Sequence, residues 1–301
     1  MKIEDIKRVL IIGAGTMGQQ IATQCAIHGF AVVLYDIRQD ILENALMRIN
    51  NLLTYFISKS KCTQKEADAA TKRITGTTSL HEAASRADFI CESVPEDVNL
   101  KKKIFSQLHS LCPDHTLFTT NTSTLLPSMF AKEAGRPDKL VAFHFHDVRT
   151  TNVVDVMVHS GTSDETLGLV IAFAKKIGLW PIVLQKENPG YVFNFLLTAL
   201  FQAAQTLSAN GVASPEEVDR AWMGVMHVPV GPFGLMDSIG IDTVWDVTVN
   251  WSNQIDDEQN KKNAGFLKNY VDKGHLGQKT DQGFYTYPKP AYRDPGFLMG
   301  E

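Results

Sequence analysis

The apolar run Val9-Leu10-Ile11-Ile12 breaks at Gly13-Ala14-Gly15-Thr16-Met17-Gly18, a helical pattern follows over 17–28, and a second apolar run from Ala31 closes on Asp36. Strand, glycine turn, helix and strand in that order admit few folds. The three glycines, at G-x-G-x-x-G spacing, have separate tasks: Gly13 allows the tight turn, Gly15 lets a ligand approach the backbone, and Gly18 lets the helix lie close on the strands. The helix start presents free N–H groups and a partial positive charge, a setting for linked phosphates. Asp36 ends the second strand, where a carboxylate accepts a hydrogen bond from a ribose hydroxyl and repels a phosphate. The unit therefore reads as a dinucleotide site that favours NAD over NADP. Arg38 leaves two readings open, a solvated surface charge or a phosphate contact.

Beyond this unit, short apolar runs keep alternating with helical patterns, the mark of a parallel sheet with crossover helices. Strands are expected at 9–12, 31–36, 88–93, 116–120, 140–145, 153–158 and 181–185. Helices are expected at 17–28, as a pair across 39–73, and at 99–111, 126–132 and 163–177. After Gln185 the pattern turns helical, over 191–207, 215–226, 242–250 and 264–273. The expected class is α/β: a Rossmann-type, doubly wound, mostly parallel sheet in 1–185, followed by a smaller all-α domain in 186–301.

The size fits two domains, since 301 residues with 44% hydrophobic content bury a large core. Its 29 basic and 33 acidic residues give a formal net charge of −4 without a long single-sign run. Neither a nucleic-acid stripe nor a membrane-binding basic face is expected, and a small-molecule substrate is. Cys25, Cys62, Cys91 and Cys112 are widely spaced and form no C-x-x-C pair, as reduced cysteines of a cytoplasmic protein would be. The start MKIEDIKR carries Glu4 and Asp5, and the apolar run after it is too short for a signal peptide or a membrane span. No metal site is expected.

A dehydrogenase needs a proton carrier, because hydride transfer leaves an oxygen that gains or loses a proton. His144 ends a late strand, on the carboxyl edge where open α/β sheets bind ligands. By position alone it reads equally as a core histidine. Asp155 interrupts an apolar strand, and a buried carboxylate needs a partner, for which His144 is the obvious choice. Ser123 is either a site residue or the cap of a following helix. Asn194, in an apolar helical pattern, is either functional or an incidental buried amide.

Three runs, NTSTL (121–125), AFHF (142–145) and NPGYVFNFLL (188–197), resemble in order and spacing the 3-hydroxyacyl-CoA dehydrogenase family, where these places read N-T-S-S-L, L-H-F-F-N-P and T-P-G-F-x-x-N-R-L-L. SVPEDVNLKKKIF (93–105), GPFGLMDSIGIDT (231–243) and GQKTDQGFY (277–285) extend the likeness over nearly the whole chain. The resemblance implies His144 as catalytic base, Ser123 and Asn194 as donors to the substrate carbonyl oxygen, and Asp155 as the acid partner of the histidine. The family has a glutamate there, one residue further on, so Asp155 implies a one-residue deletion in 146–152 together with Glu replaced by Asp. Glu96 and Lys101 fall near the nicotinamide side of the cofactor, with solvated surface charges as the alternative. Thr16, Met17 and Asn121 join Gly13, Gly15, Gly18 and Asp36 as candidate cofactor contacts. Lys59, Lys61, Lys65, Lys72 and Arg73 form either a coenzyme A phosphate site or a solvated face.

The implied activity is NAD-dependent interconversion of a short-chain 3-hydroxyacyl-CoA, such as 3-hydroxybutyryl-CoA, and its 3-keto form, by a homodimer paired through the helical domain. Departures blur the substrate: H-F-F-N-P becomes His144-Phe145-His146-Asp147-Val148, and Phe195 replaces the arginine after the site asparagine. A dehydrogenase of a free hydroxy or keto acid or ester, of L-gulonate or diketo ester type, is the second reading. A non-catalytic NAD-binding structural protein is the third.

Overall fold

Apolar runs of the first half form strands because the sheet they join is covered on both faces. The structure, a computed structural model, describes residues 1–254 and 257–300. The chain divides into two compact units, Met1–Val192 and Phe193–Glu301. In the first unit the strands are β1 (Arg8–Ile12), β2 (Ala31–Tyr35), β3 (Ile74–Thr77), β4 (Phe89–Glu92), β5 (Leu117–Thr120), β6 (Leu140–Phe145), β7 (Val153–Met157) and β8 (Trp180–Leu184). They form one sheet in the order β3-β2-β1-β4-β5-β6-β7-β8. Every neighbouring pair is parallel except β6 and β7. The mostly parallel, doubly wound sheet is thus as expected.

The helices of this unit are α1 (Thr16–Ile27), α2 (Gln39–Ser58), α3 (Gln64–Arg73), α4 (Leu80–Ala84), α5 (Val98–Leu111) and α6 (Asp164–Lys176). One face of the sheet packs Phe89 and Phe143 against Ile21, Phe56 and Phe173 from α1, α2 and α6. The other packs Ile12 and Phe118 against Phe105 of α5 and Phe130. Phe89 and Phe173 stack with centroids 4.0 Å apart. β4, β5 and β6 are buried at every residue, which explains their unalternating sequences.

Three local expectations need correction. β3 was not expected; its sequence ITGT has one buried residue, as suits an edge strand without an apolar run. α4 is one short turn, capped by Ser79, whose side chain accepts from Glu82 N. Over 126–132 there is no α-helix, only a 3-10 turn at Pro127–Met129. Pro127 disfavours the helical region for Leu126, which is extended at φ −91°, ψ 136°.

The second unit is helical: α7 (Phe193–Ala209), α8 (Pro215–Met226), α9 (Pro232–Ile239), α10 (Ile241–Gln254) and α11 (Glu258–Val271). Its own core joins Phe201, Met223, Phe233, Met236, Leu267 and Tyr285. α9 was not expected. Pro232 opens it, and the cap is the distant Asp219 carboxylate, which accepts from Phe233 N at 2.8 Å and Gly234 N at 2.9 Å. α11 starts six residues earlier than its apolar spacing indicated, at the N-cap Asp257, whose side chain accepts from Gln259 N. No described helix is long and apolar enough to cross a membrane.

Candidate active site

β1 delivers the chain to the carboxyl edge of the sheet, and α1 starts three residues after Gly13. Gly13 adopts φ +100°, and a Cβ there would lie 2.6 Å from the Ser93 carbonyl oxygen. A Cβ on Gly18 would lie 1.9 Å from the Gly13 carbonyl oxygen, so the helix lies on the turn too closely for any side chain. Around the Cβ direction of Gly15 there is nothing within 4 Å, which leaves that backbone open. The half-buried Asp36 accepts from Ala14 N at 3.0 Å and from Arg38 N at 3.1 Å, so the acid is locked beside the turn. Arg38 is exposed and its guanidinium pairs with Asp40, in line with the surface-charge reading. Thr16 lines a cleft of about 400 Å³ together with Gln20, Arg48, Tyr55 and Arg149, whereas Met17 packs on the core. An open glycine backbone at a helix N-terminus, with a fixed carboxylate on the next strand, fits the phosphates and ribose of a dinucleotide.

Further along the same edge, His144 and Asp155 are register partners on β6 and β7. The imidazole Nδ1 lies 3.2 Å from the Asp155 Oδ2, and both side chains are buried. Burial alone would push the Asp155 carboxyl up, but hydrogen bonds from His144 and His146 overcome this and hold it below the ordinary value. The carboxylate therefore accepts from Nδ1–H, and in the neutral imidazole Nε2 is then the acceptor. That nitrogen lies 3.3 Å from the Ser123 hydroxyl. Since no helix starts at Ser123, its capping alternative falls away.

Two residues not singled out in the sequence complete the setting of the imidazole. Tyr191 stacks on the His144 ring at 4.6 Å and 13°, and its hydroxyl donates to the Thr122 carbonyl at 2.6 Å. Its only signal was an aromatic residue after the Pro-Gly pair. His146 lies with Nε2 2.9 Å from Asp155 Oδ2. Its signal was the departure from the family pattern.

Glu96 organises the turn that carries Ser123. Its Oε1 accepts from the backbone N–H groups of Ser123 and Thr124 at 2.9 Å each and of Leu125 at 3.3 Å, and from the Thr122 and Thr124 hydroxyls. Burial pushes its carboxyl up, yet these bonds and the nearby Lys101 hold it below the ordinary range. Lys101 departs from the surface-charge alternative. It is 1% exposed, and its ammonium donates to both oxygens of the wholly buried Glu92 at 2.7 and 2.8 Å, with Glu96 at 3.5 Å. It is not a solvated charge: it stands behind Glu96 and braces it. Glu92 was missed, although an acid inside the strand sequence FICE requires a buried cation. Asn121 accepts from Phe145 N at 2.7 Å and so ties the end of β5 to β6.

Asn194 lies in the first turn of α7, in the second unit, and is half-buried. The basic cluster is dispersed: Lys61 donates to the Val148 carbonyl at 2.7 Å and Arg73 to that of Ala26 at 3.1 Å, while Lys59, Lys65 and Lys72 are exposed. The four cysteines are free thiols.

Comparison with known proteins gives one answer along the chain. Residues 8–188 match the NAD binding domain of 3-hydroxyacyl-CoA dehydrogenase and residues 190–287 its C-terminal domain. The chain is 33% identical to a probable 3-hydroxybutyryl-CoA dehydrogenase of Bacillus subtilis (strain 168), over 94% of this chain and 98% of that protein. It is also 33% identical to the 3-hydroxybutyryl-CoA dehydrogenase of Clostridioides difficile, over 94% and 100%. Among solved structures, a diketoreductase superposes with a TM-score of 0.88 at 39% identity, over 94% of this chain and 99% of that one. An (S)-3-hydroxybutyryl-CoA dehydrogenase from Ralstonia eutropha superposes at 0.84 and 33%, over 94% and 100%. The first unit thus carries an NAD-binding domain, and the chain belongs to the 3-hydroxyacyl-CoA dehydrogenase family.

Proposed function

We propose that the protein interconverts a 3-hydroxyacyl-CoA and its 3-ketoacyl-CoA with NAD, on short chains such as 3-hydroxybutyryl-CoA, in fatty-acid metabolism. The observation that carries this reading is the contact series Ser123, His144, Asp155 on the sheet edge that also bears the glycine turn. His144 Nε2 takes the substrate hydroxyl proton as the carbon–oxygen double bond forms, and returns it in the reverse direction. Asp155 fixes the tautomer and stabilises the imidazolium. Ser123 and Asn194 donate to the reacting or neighbouring carbonyl oxygen and favour its developing charge. When bound, NAD supplies the hydride acceptor. Gly13, Gly15, Thr16, Met17, Gly18 and Asp36 cradle it, while Asn121 and Glu96 shape the adjoining turn.

On this reading the first domain, 1–185, binds NAD, and the helical domain, 186–301, serves substrate binding and pairing in a cytoplasmic homodimer. Exposed apolar residues Leu196, Val212 and Val225 of the helical unit support the pairing. Lys59, Lys65 and Lys72 offer charge to coenzyme A phosphates.

A second reading, a free dicarbonyl compound or hydroxy acid as substrate, is favoured by the diketoreductase likeness and by His146-Asp147-Val148 in the substrate-facing loop. Steady-state kinetics with acetoacetyl-CoA, a free diketo ester and L-gulonate, each with NAD(H) and NADP(H), separates the two. The thioester is expected to lead in kcat/KM by more than tenfold, and a smaller margin overturns the first reading.

A further inference from the structure

His146 lies just past the end of β6, two residues beyond His144, so strand alternation turns both imidazoles to one face of the sheet. On that face Asp155 stands directly opposite His144, and diagonally opposite the position of His146. Both rings reach the same oxygen, Oδ2, and His146 does so at the shorter distance, 2.9 Å against 3.2 Å. The rings meet edge to face, with centroids 4.8 Å apart and planes at 73°.

An aspartate reaches one methylene less than a glutamate, and a carboxylate that must stay against an imidazole needs its remaining freedom removed. Tyr191 fixes the His144 ring from its face, but the ring stack does not aim the acid. A second ring nitrogen on Oδ2, that of His146, does. Two of the departures from the family pattern, aspartate for glutamate and histidine for phenylalanine, meet at this one oxygen.

We infer that His146 is a positioning residue that holds the short Asp155 carboxylate against His144, in place of the reach a longer acid would supply. This rests on the reading of His144 as the proton carrier. In this role the contact that matters is that of His146 with Asp155. It acts through Asp155 on the orientation of the imidazole, so it bears on turnover and not on NAD binding.

The test is acetoacetyl-CoA reduction by the full-length enzyme with NADH, in five variants alongside wild type. His146→Phe should lower kcat about tenfold, as loss of one orienting contact does, with KM for NADH within about twofold. His146→Gln, which can place an N–H where Nε2 stands, should return kcat to within about threefold of wild type; His146→Asn, polar but too short, should fall with His146→Phe. Asp155→Glu alone should also lower kcat, because His146 occupies the space the longer acid needs. In the His146→Phe background the same Asp155→Glu change should restore it, so that the two effects are non-additive. Unchanged kcat in His146→Phe overturns the inference, as does a loss that neither Gln nor the added Asp155→Glu relieves. His144→Ala, run in parallel, isolates the underlying reading: full turnover there overturns the proton-carrier role itself, whereas a dead His144→Ala beside a fully active His146→Phe overturns only the role of His146.

Discussion

His144 on β6 and Asp155 on β7 face each other across the one antiparallel pair of the sheet, and their side chains touch through Nδ1 and Oδ2. Direct register partners in such a pair project to the same face, so the contact is built into the backbone. A slip of one residue would turn the acid to the other face. Across the connection over 146–152 the strands hold the register that keeps acid and base together.

Replacing His144 with Ala removes the proposed proton acceptor without touching the glycine turn. Turnover should fall by about a thousandfold, within the range for loss of a positioned general base. NAD affinity, read by fluorescence titration, should stay within about twofold. Asp155→Asn should cost about a hundredfold or more by leaving the tautomer and the imidazolium unsupported. A variant at either position with wild-type turnover removes the pair from the mechanism.

Lys101 and Glu92 form a buried ion pair at 2.7 Å, with side chains 1% and 0% exposed. Removal of one partner leaves an uncompensated interior charge. Lys101→Met should therefore destabilise the protein by about 3–5 kcal/mol in urea unfolding. The double replacement Glu92→Met with Lys101→Met should cost clearly less than the sum of the single changes. Additive losses would mean that the two residues do not act as a pair. The single variant should also lose turnover, since Glu96 then loses its brace under Ser123.

Asp36 is the proposed selector between the two nicotinamide cofactors. Its carboxylate is fixed by two backbone N–H groups and would oppose a ribose phosphate. Asp36→Ser should raise the ratio of NADPH to NADH use, in kcat/KM, by about tenfold or more, because it removes a like-charge repulsion. An unchanged ratio would assign cofactor selection to another group.

How much of this was legible in the sequence follows from how local each signal is. Gly13, Gly18 and Asp36 act within one strand-turn-helix-strand unit, and their spacing alone specifies the geometry. β6 and β7 are buried runs whose polar members, His144 and Asp155, stand out against apolar neighbours. What escaped depends on partners far apart in the chain. Lys101 reads as a surface charge until Glu92, nine residues earlier on another element, is seen to take its ammonium into the interior. α9 is capped from Asp219, fourteen residues before the first N–H it binds, so no local cap marks its start. Over 126–132 the apolar spacing indicated a helix, and Pro127 prevailed over it. Asn194 stands out locally as a polar residue in an apolar helical run, and it lies in the first turn of α7.

Asp219 carries the clearest pH consequence. Its carboxylate lies wholly buried in the helical unit and accepts from Phe233 N, Gly234 N and the Tyr285 hydroxyl. Burial pushes it up to about 6, against the pull of these bonds, and the nearby Asp237 adds to the rise. In the unfolded chain the group titrates near the ordinary value of about 3.9. Between these values the folded state binds more protons, so the contribution of Asp219 to stability is fully present below about pH 4 and is lost as pH rises through about 6. The shift of about two units corresponds to roughly 3 kcal/mol at most. Asp219→Asn lacks this titration and serves as the reference. The difference in unfolding free energy, wild type minus variant, should therefore fall from pH 4 to pH 7 and then stay level. A difference that is flat, or that rises over that interval, would show that Asp219 is not the strained acid its burial implies.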